Sequence, residues 1–461
     1  MDVSTPPAPF VLTGMVLDAP AWGQMRWEPH GAVVVENGII AAVGSEVAVT
    51  TQRTDLPPDC WRRAPAGQRW IILPGLSDVH AHIPQYPAVA RVESQLLPWL
   101  QRHIFPRERE FTARRTGILE EMEAFFSDLC RHGTTSAMLY AAVWEDSCDL
   151  AFAAAERSGL RISLGKVMMD VDSYGCGERL PAADTRELSI QESRCLIERW
   201  HGRDADRLRC VISPRFALTS SRELLKDAAT LAAETRCALQ THLSENRDEV
   251  AAVARLFPEA TSYTDVYRRA GLVGPSSVFA HCIHLSPAEM AMLAEAGAKI
   301  AHCPTANWFL NSGLFPLDQI RRAGITVGLG SDVAAGPELN LWQVMRSAIE
   351  TQKARRYYDP FVPELTPGQA LHLATVGGAA VLGCEGKIGQ ISPGFDADLQ
   401  VLDLHAVLPA ASRHGESAEP PHLTADELAA LLVYRAGPSA VRQCWVRGKQ
   451  VFPALGESRG V

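Results

Sequence analysis

Residues 71–87 read IILPGLSDVHAHIPQYP, and this stretch decides how the rest of the chain is interpreted. An apolar run ends at Pro74 and Gly75, and His80 and His82 then follow with one residue between them. On a β-strand, residues two positions apart point to the same face, so these two imidazoles would share a face. Such a pair suits a metal ion, but it equally suits the polar face of an edge strand. The other strand-like segments must decide between the two interpretations.

The bulk composition excludes several classes of protein. With 461 residues, the chain suits one large domain accompanied by a smaller one, or two to three domains. The net charge is -9 and there is no basic run, which argues against nucleic-acid binding through phosphates. We find neither an apolar stretch long enough to span a membrane nor the pattern of a secretory signal. The 11 cysteines are scattered and never spaced as CxxC, which favours reduced thiols in a cytoplasmic protein.

From residue 71 onward, short apolar runs alternate with stretches that have helical periodicity. The eight runs are WIILPGLSDVHAH, GTTSAMLYAA, LRISLGKVMMD, LRCVISPRFALTS, CALQTHLSE, SSVFAHCIHLS, AKIAHCPTANWFL and ITVGLGSDVAAG. Two of the stretches between them, SRELLKDAATLAAET and SPAEMAMLAEAG, open with a serine, as capped helices do. Eight strands alternating with helices over roughly 250 residues predict an α/β fold, a (β/α)8 TIM-like barrel.

Both ends of the chain have strand character. The pair Asn37-Gly38 lies between two apolar runs and is typical of a β-hairpin turn. Strand-like runs return close to the C-terminus. We therefore expect a small β-sandwich domain formed from the N- and C-terminal segments, residues 1–70 and 384–461, beside a barrel domain of residues 71–383.

In a barrel of this class, the side chains that carry chemistry come from the carboxyl ends of the strands. The runs named above end in, or lead directly into, His80, His82, His242, Glu245, His281 and Asp332. Histidines and carboxylate without thiolate form a ligand set that favours zinc, with iron or manganese as alternatives. A metal there would lower the pKa of a bound water to about 7, and Glu245 would lie beside that water as general acid and base.

Other residues near the strand ends are interpreted without a catalytic role. His302 is expected to hold neighbouring loops by hydrogen bonds, and Cys282 and Cys303 to be buried, inert thiols. Trp308 would either cover the pocket at the strand ends or pack against neighbouring residues without a functional role. The charged stretch 93–109, which contains Glu93, Arg107 and Arg109, would be either a solvated helix face or a lid over the substrate.

Five segments carry a resemblance to a known family. PGLSDVHAH, THLSENRDEV, FAHCIHLS, IAHCPTANWFL and GLGSDVAAG resemble the amidohydrolase superfamily and, within it, the guanine deaminases. The likeness runs from about residue 71 to 385, and its narrower features are residues 82–86 (HIPQY), residues 213–216 (SPRF) and the segment THLSEN. It implies metal-dependent hydrolysis of guanine to xanthine and ammonia, and it suggests a homodimer.

The resemblance also implies a role for each matched residue. The metal ligands would be His80, His82, His242 and Asp332; the catalytic residues Glu245, His281 and Asp332; and the substrate contacts Gln85, Arg215 and Phe216. In this assignment Glu245 transfers protons, while His281 and Asp332 orient the attacking hydroxide. Guanine offers O6 and N7 as adjacent acceptors, which match the forked donors of an arginine.

Two other functions stay open on the residues alone. The chain could be a deaminase or chlorohydrolase for another purine, pterin or triazine ring, with the metal site unchanged and the contacts of Gln85 and Arg215 altered. It could also be a non-catalytic barrel scaffold, which need hold no metal. In these cases Arg215 could be a plain ion-pair partner, Gln85 a loop cap and Phe216 part of the core.

Overall fold

The N-terminal segment forms five strands of a β-sheet. The computed structural model describes residues 8–175, 185–410 and 423–453. The five strands are β1 (Phe10–Ala21), β2 (Gln24–Glu36), β3 (Ile39–Ser45), β4 (Trp61–Arg62) and β5 (Trp70–Pro74). The predicted hairpin turn joins β2 to β3, and Asn37 and Gly38 have φ values of 53° and 82°. A type I′ turn requires a positive φ at both central positions, which explains the Asn-Gly pair.

Eight parallel strands form the predicted barrel. Its strands are β6 (Leu76–His82), β7 (Thr134–Tyr140), β8 (Arg161–Gly165), β10 (Leu208–Pro214), β11 (Ala238–Leu243), β12 (Ser277–His281), β13 (Lys299–His302) and β14 (Thr326–Leu329), with the short β9 (Val167–Met168) beside β10. The barrel closes just beyond β14. There the Asp332 N–H donates to the His80 carbonyl at 2.8 Å, and the His82 N–H donates to the Val333 carbonyl at 3.1 Å. The first and last strands therefore meet at predicted metal ligands.

Three C-terminal strands complete the sheet begun by the N-terminal segment. They are β15 (Leu399–Asp403), β16 (Val441–Val446) and β17 (Lys449–Phe452), and the order in the sheet is β17-β16-β15-β5-β1-β2-β3, with β4 also beside β1. In this sheet β5 pairs with β15 and β1. The sequence pattern had assigned residues 71–74, which are most of β5, to the first barrel strand. The chain crosses from sheet to barrel at Gly75, where a Cβ would lie only 1.9 Å from the Thr135 hydroxyl.

Most helices pack around the barrel or lie in its connections, and the first of them packs against β2 and β3 of the terminal sheet. They are α1 (Glu46–Gln52), α2 (Leu96–Trp99), α3 (Phe105–Arg109), α4 (Ile118–Arg131), α5 (Glu145–Ser158), α6 (Arg186–Trp200), α7 (Arg203–Asp206), α8 (Arg222–Thr235), α9 (Arg247–Leu256), α10 (Tyr263–Ala270), α11 (Pro287–Glu295), α12 (Pro304–Phe309), α13 (Leu317–Arg322), α14 (Leu341–Tyr358), α15 (Pro367–His372), α16 (Gly378–Val381), α17 (Leu404–Val407) and α18 (Ala425–Arg435). Single turns of π-helix join α2 to α3 and α15 to α16. Within the described ranges, no helix is long and apolar enough to cross a membrane.

The two serines that the sequence identifies as helix caps do cap helices. Ser221 Oγ accepts a hydrogen bond from the Leu224 N–H at 3.0 Å at the start of α8. Ser286 Oγ accepts one from the Glu289 N–H at 3.3 Å at the start of α11, and the Glu289 carboxylate accepts one from the Ser286 N–H in return. Each cap satisfies donors that the first helical turn would otherwise leave unpaired.

Candidate active site

The structure brings the five side chains of the predicted metal site together at the mouth of the barrel. His80 Nε2 and His82 Nε2 lie 3.3 Å and 3.4 Å from Asp332 Oδ1. His242 Nε2 lies 3.3 Å from His82 Nε2, and His281 Nε2 lies 3.7 Å from Asp332 Oδ2. All five side chains are buried. Residues far apart in the sequence thus share one small volume, because every strand of a parallel barrel ends at the same rim.

The chemistry of this donor set fits a cation. His242 Nδ1 lies 2.7 Å from the Arg215 carbonyl oxygen, which can only accept, so Nδ1 carries the proton and Nε2 presents a lone pair. Burial lowers the pKa of His80, His82 and His242 well below the usual value, so these imidazoles are neutral. At these separations, nitrogen lone pairs and a carboxylate oxygen that face one another repel unless a proton or a cation lies between them. The residues present therefore fit a divalent metal held by nitrogen and oxygen.

A cysteine also lies near the predicted ligands. Ligand atoms of His80, His242 and His281 lie within 4.8 Å of one another, and so do those of His80, Cys303 and Asp332. Burial, and then the charge of Asp332, raise the pKa of the Cys303 thiol well above its usual value. Cys303 is buried, as the sequence predicts.

Glu245 lies beside the ligand cluster and is buried. Its Oε2 is 3.5 Å from His281 Nε2, and its Oε1 accepts a hydrogen bond from the Ser312 hydroxyl at 3.2 Å. Burial, followed by the charge of Asp332, raises the pKa of Glu245 to about 8. A bound cation would oppose this shift by stabilising the carboxylate. A carboxyl group brought towards neutrality in this way suits both taking and returning a proton.

The backbone at the barrel mouth is strained. Ser244, His281 and Asp332 have φ values of 50°, 70° and 49°, in the left-handed region that residues other than glycine rarely adopt. Each such residue costs of order 1–3 kcal/mol, and the strain persists only where the surroundings hold it. Here it turns the chain sharply at the ends of three strands and directs the functional side chains into the barrel mouth.

A pocket of about 360 Å³, a volume that includes space open to solvent, lies over the ligand cluster. Its polar wall is formed by His82, Gln85, Arg215, His242, Glu245, His281 and Asp332, and its apolar wall by Leu96, Trp99, Leu100, Phe216, Leu310 and Ala335. The three predicted substrate contacts, Gln85, Arg215 and Phe216, therefore share one pocket with the predicted metal ligands. An apolar pocket with a few convergent polar groups is the usual form of a small-molecule site.

The charged stretch after the first barrel strand covers this pocket. Leu96, Trp99 and Leu100 lie in its wall, and Arg107 pairs with Glu121 of α4. This arrangement favours the lid over the solvated helix face. Trp308, by contrast, is 49% exposed, and its indole N–H donates to the Thr351 hydroxyl at 2.8 Å, so it packs outside the pocket.

The hydrogen-bonding role predicted for His302 is wrong. Within the described part of the chain, neither of its ring nitrogens has a hydrogen-bond partner. Its ring stacks on Phe315 with the centroids 4.2 Å apart, and burial lowers its pKa to about 3. His302 is therefore a neutral, packed side chain. A strand-end position alone did not distinguish a polar contact from core packing.

Three residues that support the site were missed in the sequence. Asn307 Oδ1 lies 3.0 Å from His281 Nδ1, and Ser312 donates to Glu245. Both follow β13 within a segment that carried the resemblance, but their partners depend on the fold. Glu108 accepts hydrogen bonds from Gln85 and Arg215. A signal for Glu108 was present, since it is the one acid at helical spacing between the apolar residues Ile104 and Phe111.

Comparisons with known proteins agree with this geometry. Guanine deaminase of Escherichia coli K12 is 40% identical over 335 residues, which cover 72% of this chain and 73% of that protein. A probable guanine deaminase of Deinococcus radiodurans is 34% identical over 463 residues, with 98% of both chains covered. The crystal structure of guanine deaminase from C. acetobutylicum, with guanine bound in the active site, superposes with a TM-score of 0.83 at 27% identity and covers 96% of this chain and 100% of that chain.

The family model for amidohydrolases matches residues 71–451, which include every barrel strand and all the residues of the site. The matched range also reaches β15 and β16 and most of β17 of the terminal sheet. The chain belongs to the amidohydrolase family.

Proposed function

We propose that the protein hydrolyses guanine to xanthine and ammonia. The observation that carries this proposal is a single pocket in which Arg215 and Gln85 face Glu245 and the ligand cluster. The bound guanine of the C. acetobutylicum relative and the guanine deaminases named above support the same substrate. A non-catalytic scaffold would have no need for neutral imidazoles and a carboxylate gathered at strained strand ends.

In this proposal Arg215 and Gln85 recognise the purine edge. Within the described residues, Glu108 is the one group that accepts a hydrogen bond from the Arg215 guanidinium, so further N–H groups are available for guanine O6 and N7. The Gln85 amide has one N–H in use and a second available. Phe216, which is buried in the pocket wall, would lie against the purine ring.

The metal would be held by His80, His82, His242 and Asp332. When bound, a metal such as zinc lowers the pKa of a coordinated water to about 7 and so supplies a nucleophile at neutral pH. Glu245 accepts the proton of the attacking water and passes it to a ring nitrogen adjacent to C2. His281, whose Nδ1 lies 3.0 Å from Asn307 Oδ1, and Asp332 hold the nucleophile in line with C2. After the water oxygen has bonded to C2, Glu245 takes the remaining proton of that oxygen and delivers it to the amine; the bond between C2 and the amine nitrogen breaks, and the products are xanthine and ammonia.

Ammonia release from a panel of rings tests the substrate. Guanine is expected to be turned over faster than adenine, pterins or triazines. Adenine would place an amino donor against the donors of Arg215, and a buried unpaired donor costs about 1–3 kcal/mol, which alone lowers kcat/KM by roughly 5- to 150-fold. Adenine also carries no amine at C2, so its turnover should be lower still. If any other ring were turned over faster than guanine, the assignment of guanine as the substrate would be wrong.

The same assay tests the metal. Activity on guanine should disappear on chelation and return when zinc is added, and parallel additions of iron and manganese would identify the metal that restores it best. Chelated protein that keeps full activity after its metal content has been shown to fall would exclude the proposed centre.

We further propose that the protein is a homodimer that acts in purine catabolism in the cytoplasm. The ten cysteines in the described ranges are free thiols, which suits a reducing compartment. Near the end of α14, Tyr357, Tyr358 and Phe361 are 84%, 82% and 88% exposed, and clustered exposed aromatic groups are typical of an interface. Light scattering should give twice the mass of one chain, and a Tyr357→Ser, Phe361→Ser variant should give a smaller mass. A single-chain mass for the unaltered protein at micromolar concentration would contradict the dimer.

A further inference from the structure

Glu108 is a fully buried carboxylate that has no step in the proposed reaction. It lies in α3, on the stretch that covers the pocket. Its Oε1 accepts a hydrogen bond from Gln85 Nε2 at 2.8 Å, and its Oε2 forms an ion pair with Arg215 Nη1. One carboxylate therefore holds both side chains that would contact the purine edge.

These contacts fix the orientation of both substrate-contacting groups. The Gln85 carbonyl oxygen accepts a hydrogen bond from the Ala334 N–H at 3.2 Å, so the amide nitrogen must face Glu108, since a carboxylate only accepts. Arg215 is held on one side by Glu108, and its guanidinium carbon lies 5.1 Å from the centre of the Phe105 ring. Without Glu108, both side chains could turn within the pocket, and their remaining N–H groups would no longer be aimed at one ligand.

Glu108 also sets the charge of this wall of the pocket. Burial is the largest single influence and acts to lower the pKa of Arg215, but the charge and hydrogen bond of Glu108, together with the influence of Tyr174 and Tyr140, raise the pKa overall, so the guanidinium stays protonated. A buried cation without a partner would attract anions strongly, because the low-dielectric surroundings screen it poorly. With Glu108 beside it, the pair is neutral overall. Guanine is a neutral ligand, whereas its deamination product carries a second ring carbonyl and is a stronger acid.

We propose that Glu108 is a positioning residue that makes the Gln85–Arg215 pair select neutral purines over anionic ones. This inference rests on the proposed function, since it takes a purine to be the ligand of the pocket. Its consequence for the reaction is that the product, which ionises more easily than the substrate, is held less tightly and competes less with guanine.

Glu108→Gln tests the charge, because the amide keeps the shape of the side chain. KM for guanine is expected to rise by about tenfold or more, with a smaller change in kcat. The inhibition constant of urate, an anion at neutral pH, is expected to fall relative to that of hypoxanthine, a neutral purine, by about tenfold or more. An unchanged ratio of the two inhibition constants would overturn the inference.

Glu108→Asp separates position from charge. The shorter side chain keeps the charge but cannot reach both partners, so KM for guanine should rise while the ratio of urate to hypoxanthine inhibition stays as in the unaltered enzyme. An unchanged KM for guanine in Glu108→Asp would overturn the positioning role. This test does not depend on whether Glu108→Gln folds. Glu110→Gln is the matched control, since Glu110 is exposed at the end of the same helix, and it should leave all these constants unchanged.

The outcome for Glu108 is distinguishable from failure of the proposed function. If the unaltered enzyme releases no ammonia from guanine, the proposed function fails, and calorimetric binding of urate and hypoxanthine then tests Glu108 directly. If guanine is turned over but the ratio of the urate and hypoxanthine inhibition constants does not change with the charge at residue 108, only the inference about Glu108 fails.

Discussion

Glu245→Gln is expected to lower kcat by about 10²–10⁴-fold while the bound metal is retained. The amide preserves the size of the side chain and can still accept a hydrogen bond from Ser312, but it can neither take the proton of the attacking water nor return it to the leaving amine. KM for guanine should change little, because the predicted purine contacts are made by other residues of the pocket. The measurements are steady-state kinetics of ammonia release and metal analysis of the same preparation.

Asp248→Asn is the matched control for this variant. Asp248 is an exposed carboxylate three residues further along the chain, so the same chemical change at that position should leave kcat within about twofold, as surface substitutions usually do. A Glu245→Gln enzyme that kept its metal and most of its activity would remove Glu245 from the proton transfers. Loss of metal in this variant would instead show that Glu245 acts through the metal site.

Asp332→Asn is expected to abolish both metal binding and activity. Asp332 offers the one carboxylate of the proposed ligand set, and its Oδ1 lies within 3.4 Å of the Nε2 atoms of His80 and His82. Removing a partner of a ligand typically costs about 10–100-fold in metal affinity or activity, and loss of the ligand itself should exceed that. The charge change leaves the backbone hydrogen bonds of Asp332 in place, so the barrel itself should still fold.

Thermal unfolding with and without metal completes the measurement. A ligand that binds only the folded state stabilises it by about 2.7 kcal/mol at a hundred times its Kd. Added zinc should therefore raise the melting temperature of the unaltered protein and leave that of Asp332→Asn unchanged. Asp426→Asn, an exposed site in α18, should respond to zinc like the unaltered protein. Full metal content in Asp332→Asn would exclude this aspartate as a ligand.

The barrel could be predicted from the sequence because its signals are local. Each strand is a short apolar run, and the carboxyl ends of parallel strands must meet at one rim of the barrel. The sequence alone therefore grouped the five side chains at those strand ends, which are His80, His82, His242, His281 and Asp332. The assignment of residues 71–74 was harder, since β5 and β6 read as one apolar run. The two strands are separated by their pairing, since β5 pairs with β1 and β15 and β6 pairs with β7, and the chain passes between the two sheets at Gly75, where Thr135 leaves no room for a Cβ.

Two of the three groups that support the site could not be found from sequence patterns, for a physical reason, and the helical spacing that marks the third, Glu108, was masked by its charged neighbours. Asn307 and Ser312 reach His281 and Glu245 across loops, and such contacts depend on how the loops pack. Glu108 lies between Arg107 and Arg109, and this alternation of charges is typical of a solvated face. Inside the fold the Glu108 carboxylate is paired with Arg215, more than a hundred residues away, and hydrogen-bonded by Gln85, and neither partner can be read from the neighbouring sequence.

The hydrogen bonds that close the barrel relate the order in which the chain is synthesised to the point at which the proposed metal can bind. His80 and His82 leave the ribosome long before Asp332, and the Asp332 N–H is bonded to the carbonyl of His80 itself. Until residue 332 has emerged, the nascent chain offers at most the histidines and can bind a metal only loosely. Tight metal binding is therefore expected only after residue 332 has emerged and the barrel has closed, and a metal bound earlier would be free to exchange.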